Sequence, residues 1–101
     1  MQIKRIEDTL GTLVEFSQYW SFDGNRARTD AEKEDLAREA LEGKCKQWVQ
    51  DRKNEGKTIE FDHVQLIRNE NQGSETEQSW DGTRKHKCWG TGVGYLFAQV
   101  P

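Results

Sequence analysis

Long apolar runs are missing from this sequence, and cysteine is scarce. No segment approaches the roughly 20 consecutive apolar residues that a membrane-spanning helix needs, and residues 1–8 carry charges where a secretory signal would be apolar. These absences predict a cytoplasmic protein with no membrane partner. Cys45 and Cys88 are then expected to be reduced and buried, because a disulfide between them would require an oxidising compartment.

Aliphatic side chains are also few. Leu, Ile, Val and Phe together number 19, which is close to the range seen in disordered chains. A net charge of only −3, with four Trp and two Tyr, argues for a folded chain, since the aromatic side chains supply large apolar areas. We expect a single α+β domain over residues 1–101 with a thin, aromatic-rich core. The negative net charge argues against a general attraction to nucleic acid or anionic membranes.

One long helix is predicted over residues 29–53. Thr29, followed three residues later by Glu32, has the form of a capping box and places the helix start at about Asp30. Gly56 follows as a stop signal, because glycine readily takes the left-handed conformation that ends a helix. The apolar residues gather on one broad face that we expect to be buried, and they are Leu36, Ala37, Ala40, Leu41, Cys45, Trp48 and Val49.

The remaining segments read as strands and turns. Alternating apolar and polar residues predict strands over residues 10–22, 58–67, 84–89 and 91–100, and a short strand or frayed start near Ile3. The alternation slips by one residue near Asp62 and His63, which predicts a β-bulge. Residues 69–78 have almost no apolar side chain and are expected to form a mobile loop or the exposed end of a hairpin. Asp81 and Gly82 predict a two-residue hairpin turn.

These elements predict an α+β fold. The economical assembly is an antiparallel sheet of three to four strands with one long helix packed on one face, in the order β-α-β-β, with or without a short extra strand at the N-terminus. The glycines at 90, 92 and 94 lack the following helix that a phosphate loop requires. They are instead expected to let the helix or another backbone approach the sheet closely.

Catalytic, cofactor and metal motifs are absent from the sequence. Cys45, His63, His86 and Cys88 lack the paired spacing of zinc ligands. A nucleophilic thiol must also be accessible, and neither Cys45 on the buried helix face nor Cys88 beside Trp89 is expected to be so. We therefore expect no enzyme activity, no cofactor, no bound metal and no small-molecule substrate.

A protein-binding surface is the first functional hypothesis. Exposed aromatic side chains are frequent at binding hot spots, and an acidic set could steer a basic partner. The candidate residues are Tyr19, Trp80, Trp89, Glu70, Glu75, Glu77 and Asp81. They suggest a small non-catalytic interaction module that binds a protein complex or itself. It would be an accessory protein or inhibitor of the kind that phages and mobile elements often encode.

Nucleic-acid binding is the alternative hypothesis. Basic residues neutralise phosphates while aromatic faces stack on bases, and residues 80–89 combine both features. The candidate residues are Arg84, Lys85, Lys87, Trp80 and Trp89. Because phosphate contacts release counterions, such binding should weaken steeply as salt rises, which separates it from the first hypothesis.

Overall fold

One helix packs across one face of a four-stranded antiparallel sheet in the computed structural model, which describes residues 1–101. The elements are β1 (Gln2–Arg5), β2 (Phe16–Gly24), α1 (Asp30–Asn54), β3 (Glu60–Gln78) and β4 (Arg84–Val100). This arrangement confirms the predicted α+β fold and the order β-α-β-β with a short N-terminal strand. No helix combines the length and the apolarity that a membrane span requires.

Strand β4 lies at the centre of the sheet. β3 pairs with it along one edge over almost its whole length, while β2 and β1 pair with successive parts of its other edge. β2 and β3 therefore each have one edge without a partner strand. Because β3 and β4 have 19 and 17 residues, the molecule is elongated, with dimensions of 57 × 23 × 18 Å.

The helix begins and ends where local chemistry predicts. The Thr29 hydroxyl accepts a hydrogen bond from the Glu32 amide, and the Glu32 carboxylate accepts one from the Thr29 amide, which confirms the capping box. At the other end, Glu55 caps the helix and Gly56 follows with φ of +90°. A side chain at that φ would be strained, so glycine is the natural residue there.

Glycines of β4 allow the helix to lie close against the sheet. A Cβ atom at Gly92 would stand 2.7 Å from the carbonyl oxygen of Ala37, and one at Gly94 would meet the backbone of Gln65 and the side chain of Leu41. Both positions are thus closed to any larger residue without movement of the backbone. The prediction that these glycines permit a close approach is confirmed.

Two apolar clusters form the core between helix and sheet. The larger contains Phe16, Leu41, Cys45, Val49, Ile59, Val64, Leu96 and Ala98, and the smaller contains Trp20, Ala37 and Cys88. The two thiols are buried and free, as expected, and they belong to different clusters. Burial raises the pKa of Cys45 to about 12, so this thiol stays protonated at neutral pH.

Three predictions about strand extent are wrong. The predicted strand over residues 58–67 continues as β3 to Gln78, so residues 69–78 form the exposed end of a hairpin, which is one of the two predicted alternatives, and not a mobile loop. The two predicted C-terminal strands form the single strand β4. β2 starts at residue 16 rather than 10, because the Asp8 side chain accepts hydrogen bonds from the amides of Leu10 and Thr12 and holds a turn there. The predicted bulge near Asp62 and His63 is confirmed, and β3 has two further register shifts, between residues 66 and 68 and between 70 and 73.

Candidate interaction surface

Four charged candidates of the hairpin, Glu75, Glu77, Lys85 and Lys87, lie side by side on the sheet face opposite the helix, whereas Arg84 lies on the helix side. Glu75 stands opposite Lys87, and Glu77 opposite Lys85, in the β3–β4 register. Lys87 Nζ lies 2.9 Å from Glu77 Oε1, which lowers the pKa of Glu77 and raises that of Lys87. Lys85 Nζ lies 3.8 Å from a carboxylate oxygen of Asp23. Lys85 and Lys87 are thus partly neutralised by acids of the same chain.

Glu70 is also engaged within the chain. Its carboxylate pairs with Arg68, whose guanidinium also holds Glu15 at 3.1 Å. Arg68 and Glu15 stand on opposite sides of β4, so this ion pair crosses over that strand near Val93. Val93 is therefore buried although no helix covers it. Glu70 therefore belongs to an ion-pair bridge across the sheet rather than to a free acidic patch.

Polar side chains cover further parts of the sheet face opposite the helix. The His63 ring stacks on Phe97 with 4.4 Å between ring centroids, and the guanidinium of Arg5 lies 4.9 Å from the centroid of Tyr95. Together with the Arg68 bridge, these contacts leave no continuous apolar patch along β4. This sheet face opposite the helix, which we call the open face, is therefore less apolar than expected for a face that no helix covers.

Asp81 holds the turn that joins β3 to β4. Its carboxylate accepts hydrogen bonds from the Ser79 hydroxyl and the Thr83 amide, and the Ser79 amide donates to the Thr83 carbonyl. Gly82 has φ of +86°. The loop thus comprises three residues, 80–82, so the prediction of a two-residue turn is wrong.

The turn is expected to lose an internal contact only in strong acid. The hydrogen bond from Ser79 is the main cause that lowers the pKa of Asp81 from 3.8 to about 2. Because the ionised carboxylate is the favoured form, its contribution to stability is present above about pH 4 and is lost as pH falls through about 2. An NMR titration of the Asp81 carboxyl and the Thr83 amide should show a common midpoint near pH 2. In Asp81→Asn the Thr83 amide should not titrate there, and a wild-type midpoint near 3.8 would contradict the turn geometry.

The three exposed-aromatic candidates do not form one patch. Trp80 is 99% exposed at the hairpin turn, whereas the Trp89 indole lies over Gly73, where it occupies the space of a side chain. At about 3.3 Å per strand residue, Trp80 lies roughly 20 Å along the hairpin from Trp89. Tyr19 is 59% exposed and lies on the same sheet face as Trp89, diagonally across the β2–β4 pair. Trp20 lies on the helix side and is buried, with its indole N–H donating to Asn69 Oδ1 at 2.8 Å.

The four candidate metal ligands are dispersed as well. His63 lies beside Asp62 on the open face, His86 lies beside Thr76 on the helix side, and the thiols of Cys45 and Cys88 belong to separate clusters. No group of three His, Cys, Asp or Glu side chains stands close enough together to hold a metal ion.

The free edge of β2 is the feature that the sequence reasoning missed. Residues 16–22 contain no charge and no proline, in a chain of which 33% of residues are charged. β2 pairs with β4 through an unbroken register, and its other edge has no partner strand. The free edge of β3, by contrast, is interrupted by three register shifts and a positive φ at Asn71. The uncharged aromatic run was visible in the sequence, but only the strand order reveals that it forms an edge.

Comparisons of the chain with protein families, with curated proteins and with solved structures find no match.

Proposed function

We propose that this chain is a small non-catalytic protein-interaction module of the cytoplasm, an accessory factor or inhibitor that binds a strand of its partner along the free edge of β2. One observation carries the proposal. Residues 16–22 form an uncharged, bulge-free strand with one unpaired edge, and natural proteins normally protect such an edge with charges, proline or bulges. An unprotected edge of this kind is a template for strand addition.

The chemistry of β2 suits such an addition. Main-chain N–H and C=O groups along the edge would supply hydrogen bonds to an extended partner segment, and side chains on alternate positions would supply specificity. On the face away from the helix, β2 presents the exposed residues Ser17, Tyr19 and Ser21. The small serines leave the Tyr19 ring accessible, and tyrosine is among the side chains that most often anchor interfaces.

The free edge of β3 suits this role less well. Its register shifts place extra residues in the strand at three points, and such bulges disrupt the row of hydrogen-bonding groups that a partner strand needs. Charged residues are also frequent along β3, among them Glu70, Glu75 and Glu77. Both features are the usual means by which a sheet edge is protected from pairing.

Nucleic-acid binding by residues 80–89 receives less support. Of the three candidate cations in residues 80–89, Lys85 and Lys87 have carboxylate neighbours, and only Arg84 lacks an ion pair. A phosphate would therefore have to compete with Asp23 and Glu77 for these ammonium groups. The separation of Trp80 from Trp89 also exceeds the distance between stacked neighbouring bases, so the two indoles cannot hold adjacent nucleotides as a pair.

The proposal is tested by affinity capture from lysate of the native host, with and without nuclease. The wild type should retain a protein partner after nuclease treatment. The double variant Ser17→Lys, Ser21→Lys should lose at least about 90% of that partner, because lysines on an edge strand oppose pairing. Mass spectrometry of the retained proteins measures the loss.

A charge-matched control separates edge pairing from a general effect of added lysines. Gln47→Lys with Gln50→Lys adds the same charge on exposed positions of α1 and should retain the partner as the wild type does. Equal retention by both double variants would refute the β2 edge as the binding site. Recovery of RNA or DNA that is lost at high salt, and abolished by Arg84→Ala, Lys85→Ala and Lys87→Ala together, would favour the alternative instead.

A further inference from the structure

A basic recess lies between the start of the helix and the helix-side face of the hairpin. Arg26 and Arg28 precede the helix, Lys33 lies in its first turns, and Ser74, Thr76 and His86 come from β3 and β4. Its volume is about 80 Å³. Pockets for drug-sized ligands have roughly 300–1,000 Å³, so this recess can hold only a small ion or the end group of a larger molecule.

Arg28 is fixed at the recess and has an unused donor. Its guanidinium lies 4.0 Å from the centroid of the Phe22 ring, and its Nη1 donates to Glu32 at 3.2 Å. Its Nε is buried and has no hydrogen-bond partner. Every other buried side-chain nitrogen or oxygen in the chain has one. A buried donor without an acceptor costs free energy. Nε itself has almost no accessible surface, so an anion in the recess would meet the exposed fifth of the Arg28 side chain rather than Nε.

Lys33 adds a second cation without a carboxylate partner. Most cations of this protein are paired, for example Lys53 with Glu60 and Lys87 with Glu77, but Lys33 is half-buried and has no ion pair. The acid at the border of the recess, Glu75, stands opposite Lys87 in the strand register. Glu32 pairs with both Arg26 and Arg28, and Lys87 pairs with Glu77. The positive charge that the recess has free to offer an anion is therefore that of Lys33.

We propose that this recess binds a phosphate group, either as the free ion or as a phosphate monoester. A tetrahedral oxyanion presents several acceptors at once, which matches the guanidinium of Arg28, the ammonium of Lys33 and the hydroxyls of Ser74 and Thr76. The site is separate from the free edge of β2 and does not depend on the proposed function. It also goes beyond the expectation from sequence that the chain has no small ligand.

Titration of the ¹⁵N-labelled protein with inorganic phosphate tests the site, against sodium chloride at equal ionic strength. Phosphate should cause saturable shifts of the Lys33, Ser74 and Thr76 amides that chloride does not cause. Lys33→Gln should weaken binding about tenfold or more, since it removes a charge-assisted hydrogen bond. Arg28→Lys, which keeps the charge but replaces the planar guanidinium with a single ammonium group, should weaken it as well.

The control is Lys44→Gln, an exposed lysine of α1 outside the recess, which should bind phosphate as the wild type does. Thermal melts without phosphate establish that the variants fold. Shifts that do not saturate, shifts that chloride reproduces, or equal weakening by Lys33→Gln and Lys44→Gln would overturn the proposal. A parallel titration with phosphoserine distinguishes the sources: tighter binding than phosphate identifies the end group of a larger molecule, and weaker binding identifies the free ion.

Discussion

Leu41→Ala is expected to lower the free energy of unfolding by about 2–5 kcal/mol. Leu41 is fully buried, belongs to the larger core cluster and lies against Gly94 at the centre of the helix–sheet contact. Alanine would leave a cavity there, because the helix cannot move closer to a backbone that it already touches. For a domain whose total stability is roughly 5–15 kcal/mol, this loss is severe.

Urea or thermal denaturation followed by circular dichroism measures the effect of Leu41→Ala. A loss of this size corresponds to a fall in Tm of roughly 4–8 °C per kcal/mol. Trp48→Ala is the comparison, because Trp48 is only half-buried, with its ring edge-to-face against Phe16 and Arg52 above it. If the tryptophan variant lost more stability than Leu41→Ala, the centre of the core would lie elsewhere than described.

Gly92→Ala is expected to destabilise the protein by about 1–3 kcal/mol or more. The added methyl would stand 2.7 Å from the Ala37 carbonyl oxygen, which belongs to the helix backbone and cannot rotate away as a side chain would. The helix must therefore shift from the sheet, with loss of contacts along the smaller core cluster.

Gly43→Ala is the matched control for this substitution and should have the opposite sign. Gly43 is exposed on α1, and a Cβ atom there meets nothing within 4 Å. Alanine should stabilise the helix by about 0.5–1 kcal/mol, because it restricts the unfolded chain and favours helix. Both variants are compared by the same urea denaturation. A neutral effect of Gly92→Ala would show that helix and sheet are less closely packed than described.

Local signals in the sequence suffice for the helix and for much of the sheet. The pairing of Thr29 with Glu32 located the helix start because a capping box involves only neighbouring residues. For residues 69–78 the sequence leaves a mobile loop and the exposed end of a hairpin both open, since their strand is stabilised by pairing with β4 and by cross-strand charges, as in Glu77 with Lys87, rather than by a buried face. Apolar periodicity carries no signal for a strand of that kind.

The candidate site depends on contacts between distant segments, which explains why it was harder to predict. The sequence identified acids and bases near the hairpin, but whether Lys85 meets Asp23 depends on strand order. The same holds for the free edge of β2 and for the basic recess, whose residues come from three parts of the chain. The sequence indicates which side chains could bind a partner, and the strand order decides which of them are free to do so.

The central position of β4 also has a consequence for the folding pathway. β1, β2 and β3 each pair with β4 alone, and β1 meets residues 97–100. Until β4 has been synthesised, the earlier strands have no hydrogen-bonding partner, and only α1 can begin to form from local interactions. Contacts of such high sequence separation slow folding, because chain entropy is lost before they form. We therefore expect the sheet to form in one late, cooperative step rather than strand by strand during translation.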